Sequence, residues 1–175
     1  MANCEPLSRP QTMFIRFITT GGTIDKIYFD SKSEFEVGDS QLKHMLTDGL
    51  VSFDYDVVAL FQKDSLELTD ADRAALRTFI EEDDASLIVI THGTDTMAQT
   101  AACLRSVPGK SIVLTGALSP ARFRSTDAVF NIGMAVAAVQ LVSPGVYIAM
   151  NGQVFAEGET AKNVAANRFE RIVGE

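Results

Sequence analysis

The chain reads as an α/β domain, a three-layer αβα sandwich on a mostly parallel, Rossmann-like sheet. Two observations predict this. Short runs rich in β-branched and aromatic residues alternate with segments of helical spacing. Two of the runs, Ser86–Thr91 (SLIVIT) and Ser111–Thr115 (SIVLT), are apolar throughout, as in strands covered on both faces.

The elements follow in order. Met13–Thr19 is a strand opening into Thr20-Gly21-Gly22-Thr23. Asp39–Leu50 has helical spacing at Leu42, Met45 and Leu46. Tyr55–Phe61 is the second strand. Asp70–Asp84 is a helix through Ala74, Leu76, Phe79 and Ile80, with Thr69 or Asp70 as its cap. After the Ser86–Thr91 strand comes a helix over Thr96–Ser106, stopped by Pro108-Gly109. The Ser111–Thr115 strand precedes a long Ala/Val/Met-rich helix over Asp127–Leu141, capped by Ser125 or Thr126. Gly145–Met150 is the last strand of the series. Residues 1–12 are expected to be a polar, disordered arm without the basic start and apolar core of a signal peptide. Residues 13–175 form one domain.

Composition narrows the function classes. The chain has 175 residues, 46% of them hydrophobic and 22% charged, enough for one full core. A net charge of −8 argues against nucleic acid, which needs a basic patch. No apolar run approaches the length of a membrane span. The acidic run Glu81–Asp84 is most simply a solvated helix end. Cys4 and Cys103 have no motif spacing, so neither a disulfide framework nor a metal site is expected, and the reducing cytoplasm is the expected compartment.

In doubly wound sheets the ligand crevice lies beyond the carboxyl ends of the strands. The loops to inspect are therefore 20–33, 62–69, 91–96, 116–126 and 151–163. Gly21-Gly22 permits a tight turn and close backbone approach beside Thr23, yet Gly-Gly after a strand is equally a plain turn. The loop Thr91-His92-Gly93-Thr94-Asp95-Thr96 offers hydroxyls, and Asp95 stands where a helix N-cap belongs. His92 is more simply a packed, hydrogen-bonded residue than a base. Arg122 and Arg124 read as surface or interface residues. A threonine hydroxyl needs a proton relay to become a nucleophile. Lys162 is a candidate partner, although its spacing alone reads as a surface lysine.

Two segments in particular carry a family resemblance. Thr20-Gly21-Gly22-Thr23-Ile24 and Thr91-His92-Gly93-Thr94-Asp95-Thr96-Met97 resemble the two signature loops of the bacterial-type L-asparaginases and glutaminases, in the right order. Val113–Ala117, Phe130-Asn131 and Val146–Asn151 are similar to further family segments, so the resemblance runs from Phe14 to Lys162. It implies a homodimeric or homotetrameric amidohydrolase that converts L-asparagine to L-aspartate and ammonia through a threonine acyl-enzyme. It implies no metal and no organic cofactor. By resemblance, Thr23 is the nucleophile, Thr94, Asp95 and Lys162 form the relay, and Ser65 holds the substrate carboxylate. Asp95 also takes the substrate amino group, with Asp64, Gly22 and Gly93 lining the site.

The chain departs from the pattern in three places. Phe35 stands where the family has a loop tyrosine, for which Tyr28 is the nearby replacement. Leu66 stands in place of a substrate-contacting glutamine. Family members are roughly twice this length, with a second domain that helps to build the dimer. The short form alone is expected to act on asparagine, with glutamine or another amide, or mere binding of asparagine or aspartate, as the alternatives.

Overall fold

A computed structural model describes residues 13–29 and 34–172. The expected arm at residues 1–12 lies outside the described residues. Five parallel strands and one antiparallel edge strand form the central sheet, in the order β4-β1-β5-β6-β7-β8. These are β1 (Phe14–Gly21), β4 (Asp54–Lys63), β5 (Leu87–Thr91), β6 (Ser111–Thr115), β7 (Gly145–Met150) and β8 (Gln153–Ala156). The parallel strands pair in register, for example Ile18 with Ile90 and Ile90 with Leu114.

Helices cover both faces, because the central strands are apolar on both. On one face, Ile18, Ile88, Ile90, Ile112, Leu114 and Ile148 pack against α2 (Asp70–Glu82) and α3 (Met97–Leu104). On the other, Ile15, Phe17, Val89, Val113 and Ala149 pack against α1 (Leu42–Asp48) and α4 (Ala128–Val139). This is the three-layer sandwich expected from the sequence. Capping is local. Thr69 accepts from Asp72 N–H while Asp72 reaches back to Thr69 N–H, a reciprocal box that stabilises the start of α2 by about 1 kcal/mol. The acidic tail of α2 is less solvated than expected. Asp83 is nearly buried, with an ion pair to Arg16 Nε at 2.7 Å.

The last quarter of the chain differs from the expected open loop. Asn151 and Gly152 both have positive φ (54° and 78°), and Met150 pairs directly with Gln153. They make a two-residue hairpin turn of the Asn-Gly kind, which folds β8 back antiparallel to β7. Beyond it, β9 (Thr160–Asn163) and β10 (Arg168–Arg171) form a separate hairpin. A third small hairpin, β2 (Lys26–Phe29) with β3 (Glu34–Val37), rises from the end of β1. Among the described residues no helix is long and apolar enough to cross a membrane.

Candidate active site

The strand order puts a topological switch between β1 and β5, since the chain leaves β1 for β4 on one side and returns to β5 on the other. The loops that follow β1 and β5 therefore meet. Gly22 has φ +86°, and a Cβ on it would lie 2.4 Å from Gly93 N. A Cβ on Gly93 would lie 2.6 Å from Ser65 Cβ and Oγ. Three loops thus touch through positions where only glycine leaves room. Thr23 and Thr94 each directly follow one of these glycines.

Thr23 opens a 3-10 turn (Thr23–Asp25) and is half-buried. The turn is tied on several sides. Gly22 N–H donates to Lys63 O (2.9 Å), Ala121 N–H to Ile24 O (2.9 Å) and Gly38 N–H to Asp25 O (2.8 Å). Asp25 is buried beneath it. Burial raises its carboxyl to about 6, against the lowering effect of hydrogen bonds from Ser40 and Gln41 N–H.

Thr94 is buried, and Lys162 comes to it from β9, 68 residues later. Lys162 Nζ donates to Thr94 Oγ1 at 2.7 Å and to Asp95 Oδ1 at 2.7 Å. The Lys162 side chain is only 15% exposed, so the surface reading of this lysine is overturned. Asp95 does not cap α3. The N-cap position is Thr96, which makes no side-chain cap bond, and the Asp95 carboxylate is taken by Lys162. Thr96 Oγ1 instead donates to Ser65 O at 2.8 Å, which joins the third loop to the second.

Ser65 is 1% exposed and begins a short 3-10 turn capped by Asp64. Asp64 lies apart from the Thr94–Lys162 group. Its carboxylate accepts from Leu66 N–H and pairs with Lys26 Nζ at 2.7 Å. Burial works to raise this carboxyl, but the Lys26 hydrogen bond and charge, with the Leu66 and Ser65 N–H groups, hold it below the usual value. Leu66 is 73% exposed at the rim of a cavity lined by Thr94, Asp95, Ala98, Ala161, Lys162 and Val164. Tyr28 stands on β2 directly opposite Phe35 on β3, so the two positions weighed for the loop phenol are cross-strand neighbours.

His92 is not a base at the surface of the site. It is fully buried. Gly93 O can only accept, so Nδ1–H donates to it (2.7 Å) and Nε2 of the neutral ring accepts from the Thr100 hydroxyl (2.8 Å), which in turn accepts from Arg73 Nε–H (3.2 Å). Burial depresses its pKa to about 4, opposed by the Gly93 bond and reinforced by the Arg73 charge. His92 thereby orients the Gly93 peptide. Arg122 and Arg124 are exposed, as a surface role requires. The N-cap of α4 is Asp127 and not Ser125 or Thr126, its carboxylate being taken by Leu118 and Ser119 N–H, although Thr126 Oγ1 accepts from Ala128 N–H.

Sequence reasoning missed Lys26, Asp25 and above all Asn151. Asn151 Oδ1 accepts from Phe169 N–H at 2.9 Å. Phe169 is buried and pairs directly with Lys162 across β9–β10. Asn151 is thus the clasp that fixes the lysine-bearing hairpin to the end of β7. Its signal was present in the sequence as Asn-Gly between two β-rich runs.

The description "Asparaginase, N-terminal" matches residues 14–172, and the chain belongs to this family. The L-asparaginase of Thermococcus kodakarensis is 33% identical over 105 residues, which cover 57% of this chain and 31% of that protein. A glutaminase-asparaginase of Acinetobacter glutaminasificans is 39% identical over 82 residues, 44% of this chain and 25% of that one. The chain therefore spans about a quarter to a third of these relatives over the matched regions. The solved structure of the thermostable T. kodakarensis L-asparaginase superposes with a TM-score of 0.77 at 26% identity, covering 91% of this chain and 51% of that one. A probable cytoplasmic L-asparaginase from Campylobacter jejuni gives 0.72 at 26% identity, over 91% and 51%.

Proposed function

We propose that this chain hydrolyses the side-chain amide of L-asparagine to L-aspartate and ammonia, through an ester on Thr23. The observation that carries the reading is Lys162 Nζ within 2.7 Å of both Thr94 Oγ1 and Asp95 Oδ1, on a loop that abuts the one bearing Thr23. Thr23 Oγ attacks the amide carbon. Its proton passes along Thr94 and Lys162, and Asp95 balances the charge that the lysine gains. The tetrahedral intermediate collapses, the C–N bond breaks, and the nitrogen leaves as ammonia with the relayed proton. Water then attacks the ester, which frees aspartate and restores the Thr23 hydroxyl. Backbone N–H groups beside Gly93 and Thr94 supply donors for the developing oxyanion. Ser65 holds the substrate carboxylate, Asp95 its amino group, and Tyr28 offers a phenol from the β2–β3 hairpin.

Purified protein is expected to release ammonia from L-asparagine, with no release by Thr23→Ala and a loss of about 100-fold or more by Lys162→Met. Wild-type turnover no faster than Thr23→Ala sinks the proposal. Glutamine hydrolysis is the second reading, favoured by the glutaminase-asparaginase relative. A kcat/KM comparison of the two amino acids decides it. The chain acts as a homo-oligomer in the cytoplasm, a placement that the free thiol of Cys103 suits and that cell fractionation checks.

A further inference from the structure

The geometry points to the outer face of α4 as the surface on which two copies of this chain pair. A helix apolar on all sides belongs in an interior. In α4 (AVFNIGMAVAAV) Asn131 is the one polar residue, and it is buried against the sheet. The opposite face is left uncovered. Val129 is 61% exposed, Phe130 64%, and Leu141, just past the helix end, 85%. Gly133 and Ala137 are exposed between them. Two of the other helices are built differently: α1 presents Lys43, His44 and Asp48, and α2 presents Asp70, Glu81 and Glu82. The patch continues onto β8, where Val154 is 37% exposed.

A second copy fits this face on three grounds. The first is charge. Each chain carries −8, so contact between two copies is least opposed on a face that sets no like charges against one another, and α4 has no charged residue. The second is shape. No atom lies within 4 Å of where a Gly133 Cβ would stand, so two α4 backbones can cross closely there. An antiparallel two-fold contact centred between residues 133 and 134 sets Phe130 of each copy against the partner's Ala137, large against small. The third is size. The strip from Val129 to Leu141 is about 18 Å long. With Val154 it offers on the order of 500 Å² per copy, so a symmetric pair buries roughly 1,000 Å², where specific interfaces begin. The contact also bears on the site, because the Phe130 ring lies 3.8 Å from where a Gly152 Cβ would stand, beside the Asn151 clasp.

This rests on the homo-oligomer part of the preceding reading, and its test reads mass and not turnover. Sedimentation of the full chain at micromolar concentration is expected to give at least twice 19.0 kDa. Val129→Glu with Leu141→Glu is expected to weaken association by on the order of 100-fold, because like charges then face one another. Gly133→Leu is the independent variant. It raises helix propensity and so keeps α4 folded, while its side chain fills the crossing point and drives the copies apart. Wild-type protein that sediments as a monomer overturns the assignment. So does association unchanged in both variants, each with a wild-type circular dichroism spectrum.

Discussion

Asn151 and Lys162 divide one task between them. Lys162 supplies the charge at Thr94 and Asp95, but β9–β10 makes no strand pairing with the central sheet. Its position is set by Phe169, whose ring is buried in the core and whose N–H donates to Asn151 Oδ1. Asn151→Gly keeps the left-handed turn and removes the acceptor, and it is expected to lower kcat about tenfold or more with a smaller change in KM, because a relay slightly out of line still permits binding. Asn151→Asp restores an acceptor and recovers most of kcat. Steady-state kinetics of the pair checks this. Local pattern placed Thr23, Thr94 and Asp95 at strand ends, while the roles expected of them came from the resemblance. Lys162 was legible only by resemblance, since a contact 68 residues away leaves no trace in local periodicity.

Among the elements, the loops after β1, β4 and β5 are held together by backbone contact at Gly22, Gly93 and Ser65. Gly93→Ala places a methyl 2.6 Å from Ser65 Oγ. It is expected to cost about 1–3 kcal/mol of stability and to raise KM by displacing Ser65, measured by urea unfolding and by kinetics. The parallel strands and the four helices were readable because burial on two faces or on one stripe imposes a pattern. The bounds of β6 and β7 agree with the expected ones to the residue. The hairpins were not readable in the same way. All four of their strands are only four residues long, and β9–β10 (TAKN and RFER) has Ala161 and Phe169 as its only apolar residues. β8 was hidden by treating Asn151-Gly152 as the start of a loop when that dipeptide is itself a hairpin turn.

At the scale of the whole molecule, two buried groups shape stability in opposite senses. Asp25 has a raised carboxyl, near 6 against 3.8. Between those values the native state holds a proton that the unfolded chain has lost, so stability falls as pH rises through the window. His92 stays neutral down to about 4, against 6.5 when unfolded. The unfolded chain then binds the extra proton, so stability is full above 6.5 and is lost as pH falls toward 4. Each amounts to on the order of 3 kcal/mol at the conversion of about 1.4 kcal/mol per pH unit, so between pH 4 and 6 they nearly cancel. Asp25→Asn is expected to leave a protein that weakens on the acid side, and His92→Gln one that weakens as pH rises from 4 to 6. Denaturant unfolding at a series of pH values distinguishes them. The late position of the lysine hairpin has a further consequence for protein synthesis. A ribosome that stops after β7 has already made Thr23, Thr94, Asp95 and the whole of α4, but no Lys162. Synthesis must therefore pass β9 before Lys162 can meet Thr94 and Asp95, so the last contact the site gains is also the last the ribosome delivers.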